Sequence, residues 1–296
     1  MAQRIVITGA GGMVGGLLAA QAHREGRNVL ALTSTQCDIT DPGAVRRFVA
    51  ADDVVINCAA YTQVDAAEAD EERAYAVNAV GAGNVAAACA AVGAGLVHIS
   101  TDFVFSGVFG GDGPSPYEVD DPTGPVSVYG RTKLAGEQAV LAGAPNAHVV
   151  RASWLYEGGA GTDFVATMRR LAAGDRTVEV VADQVGSPTY AGDLVHALLQ
   201  VADGAVDAPV LHAANAGAVS RFDQAQATFA AAGADPGRVR PVGTDRHPRP
   251  AARPAYSALS MQRSVAAGLT PLRDWREALV AAVAAAASDG PLPSTP

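Results

Sequence analysis

Arg4-Ile5-Val6-Ile7-Thr8 is a short apolar, β-branched run, followed at once by Gly9-Ala10-Gly11-Gly12-Met13-Val14-Gly15 and then by Leu17-Leu18-Ala19-Ala20. A strand that enters a glycine-rich turn and leaves it as a helix is the order a dinucleotide-binding βαβ unit requires. Gly9 permits the tight turn, Gly12 lets backbone approach a pyrophosphate, and Gly15 lets helix and strand pack closely. The helix N-terminus then offers unpaired N–H groups and a partial positive charge to an anion. Glycine spacing alone would suit any flexible turn. Its place between a strand and a helix gives it weight.

The same alternation continues. Strand-like runs at 4–8, 28–32, 53–58, 95–100 and 147–152 are separated by alanine-rich helical stretches such as 71–92 and 128–142. Strands interleaved with helices imply a parallel sheet covered on both faces. The expected class is α/β: a Rossmann-type, doubly wound parallel sheet with a smaller mixed α/β substrate lobe. Beyond residue 152 the pattern predicts helices near 164–173, 191–201, 220–232 and 274–286, a strand at 178–181, and a turn at Gly186-Ser187-Pro188-Thr189. Residues 241–255, rich in Pro and Arg, read as a loop. The expected division is 1–152 for a dinucleotide-binding domain and 153–288 for a substrate-binding lobe with segments returning to the sheet. Residues 289–296 read as a disordered tail.

Composition narrows the function classes. The 296 residues are 49% hydrophobic and carry a net charge of −9, with no basic tract, so nucleic acid is not an expected partner. The longest uninterrupted apolar stretch, Ala278 to Ala287, is short of the ~20 residues a bilayer needs, and no membrane partner is expected. No charged-then-apolar leader precedes the first strand. Cys37, Cys58 and Cys89 are odd in number and widely spaced, which suits reduced thiols in a cytoplasmic protein. The six histidines show no paired ligand spacing, so no metal is expected.

The second strand, Asn28-Val29-Leu30-Ala31-Leu32, ends in Thr33-Ser34-Thr35. A carboxylate there would select NAD, and an arginine NADP. Hydroxyls accept either, so NADPH and NADH both stay open, with a lean to NADPH. Asp38 suits either the adenine edge or the cap of a helix starting near Asp41-Pro42.

Tyr129 and Lys133 lie one helical turn apart on one face. A free phenol is a poor acid at neutral pH, and a neighbouring ammonium favours the phenolate and lowers its pKa. The spacing alone also describes a casual surface pair. Downstream of Ser100-Thr101-Asp102 and of the glycine turn, it reads as an acid-base unit. Trp154 suits a sugar or base stack, or core filling. Arg246, Arg249 and Arg253 share a Pro-rich loop, where Arg253 is the better candidate for a diphosphate contact. Asp65 and Glu68 read as helix-start residues, and Asp183 and Gln184 as support for a turn.

These motifs resemble the dTDP-4-dehydrorhamnose reductase family of the extended short-chain dehydrogenases/reductases. The matching strings are Ile7-Thr8-Gly9, Asn57-Cys58-Ala59-Ala60-Tyr61-Thr62, Val77-Asn78, Ser100-Thr101-Asp102-Phe103-Val104-Phe105, Tyr129-Gly130 with Lys133, Ser153-Trp154, Asp183-Gln184 to Gly186-Ser187-Pro188-Thr189, and Arg253-Pro254. The resemblance implies reduction of the C4 keto group of a dTDP-linked 4-keto-6-deoxyhexose, with Thr101, Tyr129 and Lys133 as the catalytic triad. It implies a nicotinamide cofactor at Gly9, Gly12, Met13, Val14, Asp38, Ile39, Ala60, Tyr61, Thr62, Tyr129 and Lys133. It places the sugar at Thr101, Asp102 and Trp154. Phe103 stands where the family usually has Tyr, so one hydroxyl that could bond the substrate is missing. Leu17 occupies the place of a glutamate that some members use in a magnesium-linked dimer, so a monomer or weak homodimer is expected.

Rival readings share parts of this pattern. A 4,6-dehydratase needs a carboxylate after Asp102, where Phe103 cannot shuttle a proton. A nucleotide-sugar epimerase would share the triad. A non-catalytic, NADP-binding regulatory subunit resembling that of methionine adenosyltransferase would share the fold and the glycine turn.

Overall fold

Ile5-Val6-Ile7 and Val54-Val55-Ile56 are apolar on both faces, so each strand must be covered above and below. The computed structural model describes residues 3–109 and 113–288; the tail expected at 289–296 lies outside the described residues. Six parallel strands form the main sheet: β1 (Arg4–Thr8), β2 (Asn28–Leu32), β3 (Val54–Asn57), β4 (Gly95–Thr101), β5 (Ala147–Ala152) and β6 (Val210–His212). Their order is β6-β5-β4-β3-β1-β2. Chain order reverses at β1, which has β2 on one side and β3 on the other. At such a switch point the loops leaving neighbouring strands diverge and open a crevice.

The larger helices are α1 (Met13–Arg24), α2 (Glu71–Val92), α3 (Val128–Gly143), α4 (Phe164–Ala172), α5 (Ala191–Ala202), α6 (Arg221–Ala231) and α7 (Trp275–Ser288). Period-two alternation sorts the core. Ile5, Ile7, Val54 and Ile56 face Leu18 of α1 and Leu194 and Leu198 of α5. Val6, Val55, Leu96 and Val149 face Val85 and Cys89 of α2 and Val140 of α3. Helix α5 and strand β6 thus bring residues 191–212 back to the sheet, and β6 pairs with β5 beyond the strands the sequence indicated.

Two expectations need correction. Helix α2 runs over the expected span, but its middle, Ala76–Gly81, is a π-turn. There Asn78 is buried, accepting from Tyr61 N at 2.8 Å and donating to Thr132 Oγ1 at 3.0 Å. Among the described residues α2 is also the one helix long and apolar enough to cross a bilayer; 44% of its apolar window is buried inside the molecule, against α3 and the sheet. The second correction concerns 241–255, whose first residues belong to a strand, Val239–Val242, paired in parallel with Val178–Val181. Pro241 is tolerated because the ladder has two strands and an open edge.

Helices α2 and α3 approach so closely that a Cβ on Gly136 would strike the Asn78 carbonyl oxygen. Gly136→Ala should therefore destabilise the protein by about 1–3 kcal/mol, despite alanine's better helix propensity. A urea midpoint equal to that of the parent would show that this approach does not constrain the fold.

Candidate active site

The turn after β1 explains its glycines. Gly9 has φ +71°, and a Cβ there would lie 2.5 Å from the Ala59 nitrogen. A Cβ on Gly15 would strike the Gly9 carbonyl oxygen, so α1 can leave the turn only with glycine at that point. At Gly12 a Cβ would meet only the Gly9 oxygen, at 3.4 Å. Gly12 itself lines the cleft. Gly12 also begins α1 with no side chain capping it and no acidic residue in the first turn. Free N–H groups and an open approach suit a pyrophosphate.

These residues wall a cleft of about 600 Å³ at the switch point. Every residue expected at the cofactor, Tyr129 and Lys133 apart, lines it. Asp38 is an exposed part of the wall, and its Oδ1 accepts from Thr40 N at 2.9 Å and Thr40 Oγ1 at 2.8 Å. The cap of the helix at Pro42–Arg46 is Asp41, which accepts from Gly43 N at 2.7 Å, so that role does not fall to Asp38. Ser34 and Arg73 also line the cleft. Arg73 was not anticipated; its place one turn before Val77 on α2 was the available signal.

A second cavity, about 390 Å³, is lined by Thr101, Asp102, Tyr129, Lys133, Trp154 and Arg253 among others. The two spaces share Val14, Cys58, Ala60, Thr62 and Leu155 as walls, so the glycine turn opens onto the phenol. Among the described residues no group of three or more His, Cys, Asp or Glu is placed to hold a metal.

Helix α3 carries Tyr129 and Lys133 in its first two turns. Ser127 Oγ accepts from Gly130 N at 3.1 Å, and Glu68 Oε1 accepts from Val128 N at 2.8 Å, so a hydroxyl and a carboxylate cap it. Glu68, given no chemistry from the sequence, fixes where that helix begins. A Cβ on Gly130 would strike the Phe103 carbonyl oxygen, which explains the glycine after Tyr129. Thr101 ends β4, accepting from Phe103 N and donating to Asp102 Oδ1, both at 3.2 Å. Thr101 also lies close enough to act on the Tyr129 phenol, favouring its ionised form.

Burial dominates the electrostatics. It pushes the Tyr129 phenol up to about 12; the neighbouring Thr101 hydroxyl opposes this and the charge of Asp102 adds to it. Burial brings Lys133 down to about 8, opposed by Glu137, while its Nζ donates to the Ile99 carbonyl at 2.7 Å. The expectation that Lys133 would draw the phenol toward neutrality is therefore not met. Desolvation disfavours the charged form of both groups, and the ammonium is engaged with backbone. Burial also lifts Asp102 to about 6, against hydrogen bonds from Ser257 (2.5 Å to Oδ2), Ser153 and Thr101 and the charge of Arg221.

The remaining candidates divide. Trp154 is half-buried in the cavity wall with φ +47°, and its indole sits where a Cβ on Gly186 would be, which accounts for that glycine. One ring face is taken by the Arg221 guanidinium, 3.6 Å from the centroid, so only its other parts are left for a ligand. Arg253 lines the cavity and is held by Asp65 at 2.8 Å. Arg249 reaches the same carboxylate at 3.8 Å, and Arg246 reaches Glu179 at 3.7 Å; neither lines the two cavities. Asp183 accepts from Thr244 N at 2.8 Å and Gln184 donates to Thr244 Oγ1 at 3.0 Å, which ties down the loop, as their support role implied. Phe103 meets Tyr129 edge-on, ring centroids 5.6 Å apart. Ser257 and Arg221 were not found from sequence. Ser220 and Asp223 form a reciprocal cap that marks the helix start beside Arg221, but nothing local shows which cavity it faces.

Residues 3–288 match the family model described as RmlD substrate binding domain. A dTDP-4-dehydrorhamnose reductase of Mycolicibacterium smegmatis is 73% identical over 299 residues, covering 100% of this chain and 90% of the relative. One from Mycobacterium tuberculosis is 62% identical over 297 residues, covering 99% and 98%. The crystal structure of the Bacillus anthracis dTDP-4-dehydrorhamnose reductase in complex with NADP superposes with a TM-score of 0.88 at 38% identity, covering 94% of this chain and 98% of that one.

Asp102 titrates near 6 in the folded protein against 3.8 for an unburied aspartate. Its contribution to stability is complete below the unfolded value and is lost as pH rises through 6, because the unfolded chain releases the proton more readily. Asp102→Asn escapes that loss, so its stability relative to the parent should rise by ~2–3 kcal/mol between pH 4 and pH 7.5. Urea unfolding at both pH values checks this; a difference independent of pH would contradict it.

Proposed function

The chain belongs to the RmlD substrate-binding family, the dTDP-4-dehydrorhamnose reductases, and on that premise we propose how its two joined cavities work. The reaction is the NAD(P)H-dependent reduction of the C4 keto group of a dTDP-4-keto-6-deoxyhexose, dTDP-4-dehydrorhamnose or a close deoxysugar analogue. One observation carries the mechanistic reading: the cleft built by the glycine turn and the cavity holding Tyr129 share walls, so a cofactor held in the first would be next to a substrate held in the second. The regulatory-subunit and epimerase readings are set aside, since the close relatives bear the reductase name.

When bound, the cofactor supplies the hydride. The N–H groups that open α1 at Met13 and Val14 would hold its pyrophosphate, with Asp38-Ile39 and Ala60-Tyr61-Thr62 along its length and Tyr129 and Lys133 at its reactive end. The hydroxyls of Thr33, Ser34 and Thr35 replace a carboxylate at the end of β2, and Arg73 brings a cation to the cleft. Neither repels a 2′-phosphate, which favours NADPH.

Tyr129 donates its proton to the C4 oxygen. A phenol held near 12 keeps that proton at working pH, and the alkoxide that develops as the ketone is reduced is a much stronger base. Thr101, beside the phenol, orients the transfer, and Asp102 behind it accepts from both Thr101 and Ser257, which fixes the Thr101 hydroxyl. Lys133, charged below about 8, places positive charge beside the site as the oxygen becomes anionic. Asp102 and Trp154 bound the sugar, and Arg253 stands toward the diphosphate. Three free thiols suit a reducing compartment, and we place the enzyme in the cytoplasm.

Tyr129→Phe should lower kcat by about two orders of magnitude or more with cofactor Kd unchanged. The test is loss of nicotinamide absorbance with dTDP-4-dehydrorhamnose; near-normal turnover would remove Tyr129 from the mechanism. A second expectation concerns pH. Because Lys133 loses its charge as pH rises through about 8, kcat/KM should fall on the alkaline side with an apparent pKa near that value. A limb at the ordinary lysine value of 10.5 would contradict it.

A further inference from the structure

Arg221 opens α6 and points its guanidinium into the cavity that holds Thr101, Tyr129 and Asp102. It lies 3.6 Å above the Trp154 ring and 4.8 Å from the centroid of Phe164. Its Nη1 donates to Gln224 Oε1 at 3.1 Å. Asp102 acts on it at a distance, and among the described residues no carboxylate forms an ion pair with it. Arg253 faces the same cavity, and the two cations repel each other. They differ in one respect: Arg253 is matched by Asp65 at 2.8 Å, and Arg221 is not matched.

A sheltered cation without a counterion is costly to maintain, and the cost is visible here, since burial lowers the Arg221 pKa to about 9. An anion bridging both guanidinium groups would relieve the burial and the repulsion together. Stacking on Trp154 fixes the plane of the Arg221 fork, so little ordering is left to do when its free N–H groups engage oxygen. A sugar whose C4 reaches Tyr129 extends its anomeric diphosphate away from that group; Lys133 sits one helical turn from Tyr129, and the other cations lining this cavity are the two arginines.

We propose that Arg221, braced on Trp154, grips the diphosphate of the nucleotide sugar, above all the phosphate next to the sugar, with Arg253 as the weaker second contact. This rests on the reductase reading of the cavity and deepens it. The competing view makes Arg221 a clamp that only holds the indole in its left-handed conformation.

The test is calorimetric titration of the parent, Arg221→Gln, Arg221→Lys and Arg253→Gln with dTDP, dTMP and NADPH. Arg221→Gln should weaken dTDP by at least about ten-fold and dTMP much less, so that the preference for dTDP over dTMP shrinks while NADPH is unaffected. Arg253→Gln should cost less. Arg221→Lys keeps the charge without the planar fork and should fall between parent and Arg221→Gln, which preserves the test if the latter does not fold. Equal weakening of dTDP and dTMP, no weakening of either, a parent-like ratio in Arg221→Lys, or matching loss of NADPH affinity would overturn the proposal. A parent that binds NADPH but not dTDP would instead overturn the reading of the cavity, and the proposal with it.

Discussion

The seating of the first turn of α3 against the carboxyl end of β4 is the contact on which the site depends, because it brings a phenol on a helix beside a hydroxyl on a strand. Gly130 allows the approach to the Phe103 carbonyl, and Glu68 and Ser127 satisfy the backbone donors that the helix exposes there. Behind it, Asn78 ties the loop after β3 to the same helix through Tyr61 and Thr132. The loop that walls the cleft at the switch point and the helix that carries Tyr129 are thus one hydrogen-bonded unit.

A single cause then sets the chemistry. Tyr129, Lys133 and Asp102 all move toward their neutral forms because they are withdrawn from water. For the role proposed for the phenol this is the useful direction. A general acid has to keep its proton until the acceptor becomes basic, and a phenol already half-ionised in the resting protein would have less to give. Lys133 retains charge over the neutral range only because its shift is limited, with Glu137 opposing the burial.

Segments far apart in the chain complete the cavity. Ser257 donates to the carboxylate of Asp102, Gly186 makes room for Trp154, and Arg221 covers the indole. Residues 153 onward therefore hold the buried carboxyl and the aromatic ring in the states described.

The sequence alone determined the strand-turn-helix opening and the alternation of strands and helices through the first 152 residues, and it named residues that the structure lines up along the cleft. Those are local matters, set by φ at Gly9, by period-two and helical patterning, and by backbone approach at the turn. Spacing marked Tyr129 and Lys133 as candidates, and the family resemblance added Thr101. Strand β6, three residues long, carries too little pattern to be seen, and Val239–Val242 was masked by its proline. The direction of the Tyr129 shift depends on how much water surrounds the phenol and on Lys133 being engaged by Ile99, and neither is written in a four-residue spacing. Arg221 and Ser257 reach the site only when helices and loops distant in sequence pack together. Side-chain identity fixes what a group can do, and tertiary packing decides its solvent and its neighbours, and hence what it does.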